Sequence, residues 1–219
     1  RLCREHGLAG AHSEAAGYQK PAVDALRALG SNDICMSEFW SRKELLQRRP
    51  GDSLIHQLTQ QAHIHDGIKT ASSAAHIYGR KIIQAEAYTV MRSKGRFNGD
   101  QDPFELKDIG DRAFCQGLNR NVLCFFVCQP EQESKPGYYW PLVGADFNRH
   151  LTWWPMSHGW LKYLNRCQHL FQEGRFVADV CYFQGEWTPA YVAAKWAMTP
   201  PLPPGLDCDV MNVEVLMKR

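Results

Sequence analysis

Short apolar runs alternate with longer amphipathic stretches along most of the chain. The first run, "GLAGAHSEA" (7–15), reads as a strand, and "PAVDALRALG" (21–30) follows as a short helix with Pro at its start and Gly at its end. "DICMSEFW" (33–40) is the next strand. After a long polar insert, "HDGIKTASSAAHIYG" (65–79) resumes as an Ala-rich helix stopped by Gly79, and "KIIQAEAYT" (81–89) is a strand. "PFELKDIGDRAFCQGLN" (103–119) is helical in pattern, although Gly110 and Gly117 interrupt it. "NVLCFFVCQ" (121–129) is a continuous apolar run of the kind parallel strands show when both faces are covered. "WLKYLNRCQHLFQEG" (160–174) spaces Leu161, Leu164, Gln168 or His169, and Phe171 as a helix would, and "RFVADVCYFQG" (175–185) is the fifth strand.

Five strands joined by helix-containing crossovers predict an α/β chain with a parallel sheet. An open doubly wound sheet and a (β/α)8 TIM barrel both fit that order. No G-x-G-x-x-G follows a strand, which removes the main sign of a dinucleotide-binding sheet. A complete barrel takes ~250 residues, so the expectation is the C-terminal part of one, about five strands, over residues 1–187. Residues 188–219 contain "TPPLPPGLDCDV", read as a Pro-rich linker, and "VMNVEVLMKR", read as the start of a following element. "RLCREHG" at the N-terminus has neither Met nor an apolar signal core and reads as a helix entered from upstream. A fragment of a larger multidomain enzyme is therefore expected.

The chemistry concentrates where strands end. Glu14, Glu38 and Glu86 each close an apolar run, and an acid buried there is costly unless it is paired, hydrogen-bonded or used. In a barrel the C-terminal strand ends build the active site, and two carboxyl groups flanking a sugar are the machinery of glycoside cleavage. The structural alternative is a set of rim glutamates bonded to backbone or to Arg. Aromatic residues join them: Trp40 follows Glu38 by two positions, and "DFNRHLTWW" sets Asn148 and Arg149 beside Trp153 and Trp154. Indole rings stack on the apolar faces of sugars while polar groups reach the hydroxyls, so these four, with His12, Glu14 and Trp40, are candidate substrate contacts. Packing is the competing role for a Trp pair. His63 and His65 form "HIH" without a carboxylate partner in view, and neither Ser13 nor Ser37 has a G-x-S-x-G frame.

Composition narrows the classes further. The apolar fraction is 44%, enough for a packed core, and net charge is only +2 with basic residues dispersed, so no nucleic-acid partner is expected. No run approaches the ~20 apolar residues of a membrane helix. Eight cysteines show no C-x2-C spacing. Cys35, Cys124 and Cys181 sit inside apolar runs and read as small buried hydrophobes.

"SEFW", "TASSAAHIYGRKIIQAEAYT", "FELKDIGDRAFCQGLNR", "DFNRHLTWW" and "YLNRCQHLFQEGRFVADVCYFQGE" together resemble glycoside hydrolase family 106, the α-L-rhamnosidases, from about residue 6 to the C-terminus. The resemblance implies a (β/α)8 catalytic barrel in a multidomain enzyme that removes terminal α-L-rhamnose with inversion. It also implies a carbohydrate substrate, a bound calcium whose ligands stay unassigned, and a location outside the cytoplasm. By position Glu86 matches the general base and Glu38 its partner. The general acid is Glu38 or a residue upstream of Arg1. One departure is Cys128, which stands before Gln129–Pro130 where the resemblance leads to a histidine. Two other readings stay open: a non-catalytic carbohydrate-binding relative, and a barrel glycosidase acting on another sugar.

Overall fold

The computed structural model describes residues 5–8, the backbone of 12–14, and residues 23–40, 67–90, 101–124, 126–133, 135, 137–140, 144–186, 190, 192–193, 195 and 198–218. The polar insert with His63 and His65 lies outside these residues.

Four strands form one parallel sheet in chain order: β1 (His12–Glu14), β2 (Ile34–Trp40), β3 (Ile83–Thr89) and β4 (Arg120–Leu123). Helices fill the crossovers. α1 (Ala25–Gly30) begins later than its Pro suggests, because the Asp24 carboxylate caps it by accepting from the Arg27 amide at 3.1 Å. α2 (67–77) follows the insert. α3 (Pro103–Cys115) has Pro at its start and the Asp102 carboxylate accepting from the Phe104 and Glu105 amides, both at 3.0 Å. α4 (His158–Glu173) ends at Gly174. Its polar residues tie down the entry to β4: Gln168 Oε1 accepts from the Asn121 amide at 2.6 Å, and Gln172 Nε2 donates to the Asn119 carbonyl at 2.8 Å.

In-register parallel strands share faces residue for residue, and alternate residues face opposite ways. Cys35, Ser37 and Phe39 on β2 therefore share a face with Ile83, Ala85 and Ala87 on β3. That face is packed under helices, with Ile68, Ala71, Ala74 and Ala75 of α2, Leu106 and Ala113 of α3, and Trp160 and Leu164 of α4 in one core. Small residues let α2 approach closely. A Cβ on Gly67 would lie 2.2 Å from Ser37 Oγ. The opposite face carries Met36, Glu38 and Trp40 of β2 with Gln84 and Glu86 of β3.

Three expectations are corrected. The run 121–129 gives a strand only to Leu123, and Phe126 beyond it is 66% exposed. Residues 144 and 145 return past the strand ends instead, the Gly144 amide donating to the Val90 carbonyl and the Ala145 amide to the Cys124 carbonyl, both at 2.9 Å. The fifth strand, β5 (Val180–Phe183), is shorter than its apolar run and does not join β4. It pairs in parallel with β6 (Cys208–Met211), a strand inside the stretch read as linker, which α5 (Val213–Lys218) follows.

A buried polar clamp explains why β6 forms there. Lys69, Ser73 and His76 lie on one face of α2 and converge on Asp209 of β6. Ser73 Oγ donates to Asp209 Oδ1 at 3.0 Å, Lys69 Nζ lies 3.4 Å from the same oxygen, and His76 Nδ1 sits 2.8 Å from Oδ2. Ser73 Oγ also accepts from the Val210 amide at 3.1 Å. Burial pushes the Asp209 carboxyl up, but the His76 contact, the Lys69 charge and the Ser73 hydroxyl outweigh it and hold it below the usual carboxylate range.

Candidate active site

Glu38 and Glu86 are direct partners across β2 and β3. Both stand on the face turned away from the packed helices, Glu38 at 6% exposure and Glu86 half-buried. Strand pairing therefore places two carboxylates side by side on one face.

The local backbone departs from regularity just beyond them. Pairing steps from Glu38↔Glu86 to Trp40↔Thr89, so two residues of β2 are matched by three of β3. This is a β-bulge, a feature that re-aims side chains and collects beside active sites. Tyr88 takes up the extra residue with φ of 64°, the only non-Gly residue with positive φ among those described. Such a conformation costs about 1–3 kcal/mol. The Tyr88 ring is fully buried, edge-on to Phe39 at 4.9 Å, to Trp160 at 5.5 Å and to Phe147 at 6.2 Å. Burying an aromatic ring stabilises by about 1.5–3 kcal/mol, with about 0.5–1.5 kcal/mol more for each well-placed pair, which offsets the strain. Gly110 makes room for the ring tip, since a Cβ there would lie 2.3 Å from the Tyr88 hydroxyl.

The bulge turns Thr89 onto the Glu86 face. In a regular strand residues 86 and 89 would point to opposite sides. Here Thr89 Oγ1 donates to Glu86 Oε1 at 2.6 Å. Cys124 completes the cluster at 4% exposure. Burial pushes its thiol well above the usual range, and a hydrogen bond to Glu86 and the nearby charges of Glu86 and Glu38 push the same way, outweighing the opposing influence of the Thr89 side chain. Neither Thr89 nor Cys124 was legible as a site residue. Alternation assigns Thr89 to the wrong face, and an apolar run makes Cys124 look like packing alone.

Of the other candidates, Trp40 shares this face by register, while Asn148, Arg149 and Trp153 are engaged elsewhere. His12 and Glu14 occupy the register positions opposite Ile34 and Met36. Trp40 ends β2, half-buried, opposite Thr89. Asn148 is fully buried and serves its own loop, Oδ1 accepting from the His150 amide at 2.8 Å and Nδ2 facing the Asp146 carbonyl at 3.5 Å. Arg149 donates to the Gln129 and Glu131 carbonyls and lines a cleft of about 490 Å³ with Gln129, Pro130, Gln132 and Glu133. Neither Glu38 nor Glu86 lines that cleft. Trp153 is a core residue, 8% exposed, packed against Phe147, Trp154 and Trp160, with its indole N–H donated to the Gln101 carbonyl at 2.8 Å. Its rings are taken up by packing, which leaves half-buried Trp154 the more accessible of the pair.

Among the described residues no group of three or more His, Cys, Asp or Glu side chains is placed to hold a metal ion. Among the same residues no helix is long and apolar enough to cross a membrane.

A protein of Formosa agariphila named "Putative beta-glucuronidase" is 34% identical over 188 residues, which is 86% of this chain and 14% of that protein. The solved structure of a rhamnosidase from Novosphingobium sp. PP1Y superposes with a TM-score of 0.75 at 27% identity, over 98% of this chain and 19% of that one. The chain thus spans less than a fifth of the length of either relative. The family model described as alpha-L-rhamnosidase matches residues 2–219. This chain, with its parallel α/β sheet and paired strand glutamates, belongs to glycoside hydrolase family 106.

Proposed function

We propose that this chain supplies part of the (β/α)8 catalytic barrel of an inverting α-L-rhamnosidase, with Glu86 as the base that activates water and Glu38 as its partner. The observation that carries the reading is the direct pairing of Glu38 with Glu86 on one face of a parallel sheet. Glu86 is already oriented by the Thr89 hydroxyl, as a group that must aim at a water is expected to be.

Geometry sets a sharp condition on the roles. Neighbouring strands run about 4.8 Å apart, whereas an inverting pair needs its carboxyl groups roughly 6.5–9.5 Å apart. Glu38 and Glu86 reach that separation only if their side chains splay. Otherwise Glu38 binds the sugar and the acid comes from outside residues 1–219. The anomeric form of the first product, read by NMR, tests inversion directly.

The sugar itself is the second question. The relative named for a glucuronide favours a second reading, a glycosidase of the same architecture acting on a uronic acid. Aryl α-L-rhamnoside and aryl β-D-glucuronide, offered to the full-length protein, separate the two. Glu86→Gln and Glu38→Gln should each lower kcat by several orders of magnitude, leaving melting temperature within a few degrees. Near-normal turnover in both variants would refute the assignment. Calcium, expected by resemblance, is tested by chelation followed by an activity and melting measurement. A location outside the cytoplasm is tested by fractionation.

A further inference from the structure

Thr89 and Tyr88 form a device that the two-carboxylate reading does not require. A strand without the extra residue would send position 89 into the helix-packed core and leave Glu86 without this partner. The fold instead maintains a positive φ at a bulky residue, one register shift and a glycine opposite the ring tip. All three converge on a single contact, the 2.6 Å hydrogen bond from Thr89 to Glu86, made by a hydroxyl on a residue only 1% exposed.

We propose that Thr89 is a positioning residue: its hydroxyl, delivered by the Tyr88 bulge, fixes the Glu86 carboxylate in the orientation from which it acts on its substrate. This rests on the catalytic reading of Glu86. The Thr89 hydroxyl occupies one lone pair of Oε1 and so restrains rotation of the carboxylate. Cys124, kept as a neutral thiol by burial, packs on the same cluster and closes it from the β4 side.

The test compares Thr89→Val, which keeps the shape and removes the hydroxyl, with Thr89→Ser, which keeps the hydroxyl. Both are made in the full-length protein and assayed on whichever aryl glycoside of the panel it hydrolyses. A carboxylate displaced by a fraction of an ångström to 1 Å costs roughly 10- to 100-fold in rate. The expected result is a loss of that size in kcat for Thr89→Val, with KM within about twofold, and recovery to within about threefold of wild type in Thr89→Ser. The double variant Thr89→Val/Glu86→Gln should be no slower than Glu86→Gln alone, because Thr89 acts through Glu86. Wild-type kcat in Thr89→Val, an equal loss in Thr89→Ser, or additive losses in the double variant overturns the proposal while the catalytic reading stands. Near-normal activity in Glu86→Gln, or a parent that hydrolyses nothing in the panel, overturns both together.

Discussion

Asp209 carries the sharpest stability prediction, because one carboxylate answers three groups on α2. Lys69 is 0% exposed, and its ammonium depends on Asp209 at 3.4 Å, on Asp207 at 3.6 Å and on the Phe176 ring 4.5 Å below it. Removing one partner of a buried pair costs about 3–5 kcal/mol, since the remaining charge is left uncompensated. Asp207 stays in place, so the low end, about 3 kcal/mol, is expected for Asp209→Ala. At 1.4 kcal/mol per decade this is on the order of a 100-fold increase in local opening. Amide hydrogen exchange over β6 reads it, above all at Val210, whose N–H donates to Ser73 Oγ. Asp209→Asn, which keeps the shape and loses the charge, should fall between wild type and Ala. The pH dependence has a fixed sign. The folded Asp209 carboxyl is held below its unfolded value, so its contribution is complete above the ordinary carboxylate range and is lost as pH falls through the lowered folded value. Exchange over β6 in Asp209→Ala within about threefold of wild type at pH 7 would refute the clamp.

The remaining predictions concern packing and thiols. Gly110→Ala places a methyl 2.3 Å from the Tyr88 hydroxyl and should destabilise by about 1–3 kcal/mol, visible as a lowered melting temperature. A matching loss of kcat would follow if the ring movement reaches Thr89. Cys115, Cys128 and also Cys181, which its apolar run had suggested to be buried, are exposed and should alkylate first. Cys35, whose thiol burial pushes up to about 11 despite the Arg80 charge, should react on the order of 100-fold more slowly at pH 8, with Cys124 similarly protected. Mass mapping of labelled peptides gives the order, and early labelling of Cys124 would contradict its place behind β4.

How much of this was legible depends on the range of the force involved. Hydrophobic period and helix punctuation are local, so the four sheet strands and the helices between them could be read along the chain, but Glu38 and Glu86, read as strand ends, lie inside β2 and β3, each of which continues beyond its acid. Family motifs such as "GDRAFCQGLNR" pointed to the same class that the family match shows. Trp153 and Asn148 were legible as unusual residues, but not as what they do. A tryptophan looks the same in sequence whether its faces meet sugar or Phe147 and Trp160.

The sequence by itself determined the alternation of strands and helices, the parallel sense of the sheet and the presence of an acid in each of two apolar runs. Tertiary structure alone decided three things. It paired β5 with β6, because an aspartate 140 positions from Lys69 compensates a charge that cannot stay buried alone. It made Glu38 and Glu86 direct neighbours, since register is settled by which face the core claims. And it turned Thr89 to Glu86, because a backbone conformation unfavourable in isolation becomes the stable one when an aromatic core holds the side chain of Tyr88.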